Sequence, residues 1–219
     1  MLASTQASTM LALQDQMNAK VNPDWVATRS PFLRAVVIEA SEAIEHHGWK
    51  WWKKQECDLE QLQMELVDIW HFVLSAILLD HEGDPTKALD DVFAAIDQTE
   101  LTFDGQLITF SELTLLDKLE LMIGLASAKR YSIGLFSALL VDCQMTWDDL
   151  YAQYVSKNVL NFFRQDNGYK EGTYIKEWSG REDNEHLVEV MTTLDVKAAS
   201  YQDDLYQELN KRYQLLNVT

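Results

Sequence analysis

Two pairs of acidic residues are the part of this sequence best suited to chemistry. Glu39 and Glu42 lie three positions apart in VIEASEAI, and Glu65 and Asp68 have the same spacing in MELVDIWHF. Side chains three apart share one face of a helix, so each pair would present two carboxylates together. In a chain with 35 acidic residues such pairs also arise by chance on solvated faces, so the neighbouring residues must separate the two interpretations.

The residues around the second pair indicate burial. From Leu66 onward the segment is apolar on nearly all sides of a helix, and Glu65 and Asp68 stand where that burial begins. Buried carboxylates are costly unless protons, bases or cations neutralise them, and neither quoted segment contains a lysine or arginine. Carboxylates without thiolates suit Mg²⁺ or Mn²⁺, with substrate phosphates completing the coordination shell. The sequence therefore predicts a site for a hard divalent cation.

His71 allows a different metal centre. Di-iron proteins of the ferritin kind use Glu-x-x-His on two helices, and only Asp68 with His71 approximates that pattern here. A hydrogen-bonded interior histidine explains His71 equally well. The divalent cation is therefore the preferred interpretation.

The loop between the two pairs alternates aromatic and basic residues. It contains Trp49, Lys50, Trp51, Trp52 and Lys53. An aromatic plug over the helix ends would account for the tryptophans but not for the lysines. Aromatic faces can stack on a base while ammonium groups meet phosphates, so a nucleotide-facing loop is the more specific hypothesis. Trp51 and Trp52 are assigned to packing.

The charge distribution bears on the partner. A formal net charge of −17 argues against a nucleic-acid polymer, because its phosphates would be repelled over most of the surface. About eight of the eighteen basic residues nevertheless fall in two short segments, an arrangement that suits a small polyphosphate. They are Lys50, Lys53, Lys54, Lys157, Arg164, Lys170, Lys176 and Arg181. Scattered solvated lysines are the alternative.

The composition indicates a helical protein with a substantial core. Of 219 residues 47% are hydrophobic, and three prolines and eight glycines leave long stretches without a chain breaker. Cys57 and Cys143 are interpreted as two reduced thiols. No apolar run is expected to be long enough to cross a membrane, and the N-terminus lacks the features of a secretory signal. We therefore expect a cytoplasmic protein.

Capping residues place the acidic pairs on two successive helices. Ser30, followed by Pro31 at the first helical position, should cap a helix that ends near His46. Asp58 should cap the next, which ends near Asp80. Further helices are predicted at residues 8–21, 87–98, 111–163 with breaks near 131–134, and 197–215.

Two other segments have distinct patterns. Residues 99–110 alternate around Asp104-Gly105, which allows a short hairpin or an irregular excursion. The segment RQDNGYKEGTYIKEWSGREDN is polar, aromatic and rich in turn residues, which is typical of a functional loop.

The acidic pairs and their surroundings resemble a known enzyme group. E-x-x-E followed about two dozen residues later by E-x-x-D is similar to the signature of the all-α NTP pyrophosphatases, which include MazG-like enzymes and dimeric dUTPases. The segments EASEAIEHHGWKWWK, ELVDIWHFVLS and YVSKNVLNFFRQDNGYKEGTYIKEWSGREDNEHL resemble the dimeric dUTPase branch. With LQDQMN near the N-terminus, the resemblance extends to about Leu187 and is weak over residues 81–150.

The resemblance implies an all-α fold, an antiparallel helical bundle forming one nucleotide-hydrolase domain over residues 1–219. Its core would comprise about 8–80 and 111–187, with an insertion at about 81–110 and a C-terminal helix at about 197–215. A homodimer, a small nucleotide substrate and two or more Mg²⁺ ions, for which Mn²⁺ could substitute, are expected on the same ground.

Carried over position by position, the resemblance assigns catalysis and metal binding to Glu39, Glu42, Glu65 and Asp68. It assigns phosphate contacts to Lys50, Lys53, Lys157, Arg164 and Lys170, with Tyr174 close by. Candidates for the uracil and deoxyribose are Gln14, Asn18, Trp49, His71, Phe72 and Asn161. Gln14 and Asn18 could instead cap turns, and Phe72 could be part of the core.

The implied reaction is hydrolysis of dUTP, and of dUDP, to dUMP with release of pyrophosphate or phosphate. Mg²⁺ would bridge the polyphosphate and activate a water, and Glu39 or Glu42 would accept its proton. The alternative enzyme is a related all-α pyrophosphatase acting on another pyrimidine or a non-canonical nucleoside triphosphate. Outside enzymes, the alternative is a helical protein that binds a partner through the tryptophan-rich loop.

Overall fold

The computed structural model describes residues 1–196, 198 and 200–215. They form a bundle of helices with two short antiparallel hairpins, which confirms the all-α fold class. The helices are α1 (Ser4–Val21), α2 (Trp25–Thr28), α3 (Phe32–His47), α4 (Leu59–Asp80), α5 (Pro85–Ala95), α6 (Leu115–Ser127), α7 (Ile133–Asp142), α8 (Trp147–Asp166), α9 (Asp183–Met191) and α10 (Tyr201–Gln214). The hairpins pair β1 (Glu100–Phe103) with β2 (Gln106–Thr109) and β3 (Glu177–Trp178) with β4 (Arg181–Glu182).

Local signals set the ends of α3 and α4. Asp58 caps α4 as predicted, since its carboxylate accepts a hydrogen bond from the Gln61 amide. The predicted serine cap of α3 is wrong, because Pro31 occupies the cap position and no side chain caps it. α3 ends at Gly48, whose φ of 86° is a left-handed conformation that favours glycine.

The second half of the chain is more finely divided than the sequence pattern indicated. The region predicted as helical over 111–163 contains α6, α7 and α8, which are capped by the side chains of Thr114, Ser132 and Thr146. Within the segment predicted to be a functional loop, β3, β4 and the start of α9 form. The C-terminal helix is present as α10, while its predicted start at Lys197 lies outside the described residues.

The alternating residues 99–110 form a hairpin. Phe103 pairs with Gln106, so Asp104 and Gly105 occupy the two turn positions. Their φ values of 49° and 75° are both positive, as the two-residue turn that matches strand twist requires. Leu101 and Phe103 pack against the core and anchor the hairpin to the bundle.

Helix α4 is the central helix of the bundle. It packs against α1, α3, α5 and α8, and most of its side chains from Leu62 to Leu78 are buried. By length and composition α4 could cross a membrane, contrary to the expectation that no apolar run is long enough. However, 72% of the most apolar 18-residue stretch of α4 is buried inside the protein. Burial in the core accounts for the apolar composition of this helix.

The packing of α3 on α4 brings the acidic pairs together. The two helices run in opposite directions, with the Asp58 amide donating to the His46 carbonyl near the loop and Glu39 facing Asp68 and Glu65 further along. α1 and α8 pack on each other and on α4. Polar residues of these two helices therefore lie close to the acidic residues of α3 and α4.

An aromatic cluster attaches the C-terminal segment to α8. The ring of Phe163 lies 5.8 Å from Trp178, 5.3 Å from Tyr206 and 5.4 Å from Tyr213, measured between centroids. Edge-to-face contacts of this kind stabilise beyond the burial of the rings. They hold α10 and the β3–β4 hairpin against the end of α8 that carries Arg164.

Candidate active site

Three glutamates from α3 and α4 form an acidic cluster. Carboxylate oxygens of Glu39, Glu42 and Glu65 all lie within 4.8 Å of one another. Their spacing places Glu39 and Glu42 on one face of α3, and Glu65 approaches them from α4. Oxygen atoms gathered in this way suit a hard divalent cation.

Burial and mutual repulsion make two of these glutamates difficult to ionise. Burial, with the nearby negative charges of Asp68 and Glu39, raises the pKa of Glu65 to about 8. Burial and the charge of Asp68 likewise raise the pKa of Glu39 to about 7, and a hydrogen bond shared with Glu65 partly offsets this rise. Carboxylates this close together require a proton or a cation among them.

Two basic side chains contact the acidic residues. Asp68 lies outside the group of three, and its Oδ2 is 3.0 Å from Nζ of Lys157, a buried lysine of α8. Nε2 of His46 lies 3.4 Å from Oε1 of Glu65. Asp68 thus has a basic partner that its own sequence segment does not contain, because α8 is remote in sequence and adjacent in space.

A cavity of about 350 Å³ opens beside the acidic cluster. Glu39 and Asp68 line it, so the cavity and the cluster share a wall. The volume is in the range of small-molecule sites. Seven of the predicted nucleotide-binding residues also line it: Gln14, Asn18, His71, Phe72, Lys157, Asn161 and Arg164.

A buried hydrogen-bond network joins three residues that line the cavity, Gln14, Asn18 and His71. Oε1 of Gln14 accepts from the Tyr154 hydroxyl and lies 2.8 Å from Nδ1 of His71. Oδ1 of Asn18 accepts from Nε2 of Gln14 at 3.1 Å and from the Ser75 hydroxyl at 3.2 Å. These contacts leave two buried atoms of the network without a partner among the described residues, Nδ2 of Asn18 and Nε2 of His71.

Through this network, the choice of which His71 nitrogen carries the proton is tied to the orientation of the Asn18 amide. Burial lowers the pKa of His71 to about 4, so the ring is neutral at pH 7 and one nitrogen carries a proton. With Oε1 of Gln14 facing the ring, Nδ1 of His71 donates and its Nε2 presents a lone pair, while the NH₂ of Asn18 is an unpaired donor. Rotating the amides of Gln14 and Asn18 together reverses both roles. Either way, the two open atoms are one donor and one acceptor.

Arg164 reaches the cavity from α8 but is already bound on one edge. Its Nε and Nη2 donate to the two oxygens of Asp183, each at 2.8 Å, and Nη1 donates to Oδ1 of Asn161 at 3.2 Å. The hydroxyl of Tyr174 donates to the same carboxylate at 2.8 Å. The guanidinium of Arg164 is thus held in position by residues from the C-terminal part of the chain.

Two other residues predicted to be near the phosphates contact the protein itself. Lys170 donates to the Val21 carbonyl at 2.8 Å, and the Tyr174 hydroxyl donates to Asp183. Neither is among the residues that line the cavity within the described part of the chain. Lys170 instead links the loop after α8 to the end of α1.

The tryptophan-rich loop is also separate from the cavity. Nε1 of Trp49 donates to Oε1 of Glu45 at 2.7 Å, Nζ of Lys50 lies 3.4 Å from the second oxygen of that carboxylate, and Lys53 is exposed. None of the three lines the cavity among residues 1–196, 198 and 200–215. Trp51 and Trp52 pack on each other, yet Trp51 is 87% exposed, so packing does not account for Trp51.

Several residues at the site were not identified from sequence. Trp25, Phe32 and Tyr169 supply aromatic surface to the cavity, and His46 touches the acidic cluster. The rings of Trp25 and Phe32 meet edge to face, 6.1 Å apart. The available signal was that each of these three rings stands within two residues of a chain breaker, namely Pro23, Pro31 or Gly168.

Comparison with known proteins identifies the family of this chain. A protein-family model described as dUTPase matches residues 6–169, which include both acidic pairs and the cavity-lining part of α8. No curated protein matches the chain at a significant level. Because the family match covers well over half of the chain, the protein belongs to the dUTPase family and is a dUTP diphosphatase.

Proposed function

We propose that the protein hydrolyses dUTP, and also dUDP, with the nucleoside in the cavity and the polyphosphate across the carboxylates of α3 and α4. Family membership supports the general reaction. The observation that carries the proposed site is that Glu39 and Asp68 belong to the acidic face and also line the cavity. One bound nucleotide would therefore contact the cavity with its nucleoside and the carboxylates with its polyphosphate.

Glu39, Glu42 and Glu65, with Asp68 beside them, are the residues proposed to hold Mg²⁺. The fit rests on donor chemistry, since hard oxygen ligands lie together and repel one another when ionised. When bound, the ion would polarise the polyphosphate and lower the pKa of a water that attacks phosphorus. Glu39 or Glu42 would accept the proton of that water, and Glu39 is the one that reaches the cavity.

The base is proposed to be read by His71 and Asn18. Uracil presents its N3–H donor beside carbonyl acceptors, which matches the unpaired donor and acceptor on Asn18 and His71, two residues that line the cavity. Cytosine in the same orientation presents an acceptor at N3 and a donor at position 4, so both contacts would fail. Each buried group left unpaired costs about 1–3 kcal/mol, which favours uracil by at least tenfold.

The basic groups of α8 are proposed to meet the polyphosphate or sugar. Nζ of Lys157 lies beside Asp68, and Nη1 of Arg164 lies beside Asn161. Their positive charges would offset charge on phosphate oxygens near the acidic cluster. Lys50, Lys53 and Lys170 are given no phosphate contact in this proposal, because none of them lines the cavity within the described part of the chain.

A nucleotide panel tests the proposal. Pyrophosphate release is measured with Mg²⁺ for dUTP, dCTP, dTTP and UTP, and dUTP should be preferred. In the arrangement in which Asn18 presents its NH₂ to the base, Asn18→Asp replaces this donor by an oxygen and should lower the dUTP to dCTP ratio of kcat/KM at least tenfold. Asp15→Asn, a change at a half-buried residue of the same helix, is the control. Equal turnover of dCTP by the wild type would refute the base-reading role and favour an enzyme for another pyrimidine.

Two further expectations remain proposals. The homodimer can be tested by light scattering coupled to size exclusion, where a mass near twice 25.2 kDa is expected. The use of Mg²⁺ can be tested by titrating the ion into metal-free protein while turnover of dUTP is followed.

A further inference from the structure

The segment beyond the family match contains a buried carboxylate that reaches towards the cavity. Asp183, the first residue of α9, lies after residue 169, where the match ends, and its side chain is 0% exposed. Burial alone would raise its pKa, but the hydrogen bonds and charge of Arg164 hold the pKa of Asp183 below its usual value. Asp183 is therefore an ionised group inside the protein.

The contacts of Asp183 orient the guanidinium of Arg164. Two parallel hydrogen bonds engage Nε and Nη2, and this fork fixes the plane of the group. The Tyr174 hydroxyl holds Oδ2 of Asp183, and the backbone amide of Asp183 donates to the Lys176 carbonyl. Both ends of the ion pair are thus held in place.

Arg164 in turn fixes the orientation of a residue that lines the cavity. Nη1 donates to Oδ1 of Asn161, and because a guanidinium only donates, the oxygen of Asn161 must face it. Nδ2 of Asn161 is then left as a donor, and it makes no hydrogen bond within the described part of the chain. Asn161 lines the cavity, so its NH₂ is available to an acceptor on a ligand.

The neighbouring Asn184 contacts the second basic residue of the cavity, Lys157, and also Arg164. Its Oδ1 accepts from Nζ of Lys157 at 3.2 Å and lies 3.4 Å from Nη2 of Arg164. One amide oxygen thus bridges two positive groups and reduces their repulsion. The first turn of α9 consequently contacts both basic residues that line the cavity.

We propose that Asp183 is a positioning residue for nucleotide binding, acting through Arg164 to hold the Asn161 amide at the cavity. This inference rests on the proposed nucleotide site. A residue that merely stabilises the fold would change the folded fraction. A positioning residue changes the affinity of the folded enzyme.

The experiment is a double-mutant cycle on the full-length enzyme with dUTP and Mg²⁺. Asp183→Asn should raise KM about tenfold to 100-fold while kcat changes less than about threefold, because the contact acts on ground state and transition state alike. Arg164→Gln should raise KM at least as much. In the double variant, Asp183→Asn should add no further increase, since its effect passes through Arg164. Glu189→Gln, an exposed change on α9, is the control and should leave KM unchanged.

The outcomes separate two kinds of failure. If Arg164→Gln raises KM and Asp183→Asn lowers only the melting temperature, or if the two effects multiply, the positioning role is refuted. If neither variant changes KM, the cavity is not the nucleotide site, and the proposed placement of the nucleoside fails while dUTP hydrolysis stands. Should Asp183→Asn not fold by circular dichroism, Tyr174→Phe takes its place in the cycle. An increase in KM that vanishes in the Arg164→Gln background supports the proposal, and any other result with folded protein refutes it.

Discussion

Replacing Glu65 with glutamine should stabilise the metal-free protein while removing its activity. Burial and like charges raise the pKa of Glu65 from 4.5 to about 8, so the folded protein keeps a proton that the unfolded chain releases between these pH values. The stability of the wild type therefore falls as the pH rises from 4.5 to 8. Because the pKa is raised, the neutral form favours folding, and glutamine supplies a neutral side chain at every pH.

The magnitude follows from the pKa difference. At about 1.4 kcal/mol per pKa unit, the shift corresponds to roughly 5 kcal/mol above pH 8. The side chain is 9% exposed, so solvent screening reduces this little, but Glu39 shares the repulsion and an amide replaces the hydrogen bonds imperfectly. We expect about 3 kcal/mol at pH 8, or a melting temperature raised by roughly 6–12 °C for a chain of this size.

The assay is thermal unfolding in the presence of a chelator at about pH 5 and pH 8, with dUTP turnover measured in Mg²⁺. Glu65→Gln should melt higher than wild type at pH 8 and close to it at pH 5, and turnover should be lost. Glu120→Gln, at an exposed position of α6, is the matched control and should show neither effect. Equal stabilisation at both pH values, or near-normal turnover, would refute the reasoning.

Three further predictions follow from the same contacts. Mg²⁺ should raise the melting temperature more at pH 8 than at about pH 5.5, because at the lower pH it must displace protons from Glu39 and Glu65; a shift that is larger at the acidic pH would contradict this. Gly134→Ala should destabilise by about 1–3 kcal/mol in urea unfolding, since a Cβ there would collide with the Gln98 backbone carbonyl, and unchanged stability would show that the backbone yields freely. Phe163→Ala should cost about 3–5 kcal/mol in the same measurement by emptying the aromatic cluster, and a loss below about 1 kcal/mol would indicate that the cluster contributes little.

Local rules account for the elements that carry the acidic residues. The i, i+3 spacing places Glu39 and Glu42 on one face whatever surrounds the helix, and Asp58 caps α4 through atoms within three residues of it. The Asp104-Gly105 turn needs only residues that accept positive φ. Such features depend on neighbours in the chain, so they can be identified without the fold.

The partners of the charged residues were decided by packing alone. Lys157 meets Asp68 because α8 packs on α4, and Asp183 holds Arg164 because α9 packs on α8. Neither contact has a sequence signature. The alternation of Trp49 with lysines suggested a nucleotide-facing loop, whereas Lys50 turns to Glu45. Which cation meets which carboxylate is set by helix packing over long sequence separations. The sequence by itself therefore determined the helices and their acidic faces, and only the tertiary structure determined the cavity beside them and the unpaired donor and acceptor on two of its lining residues.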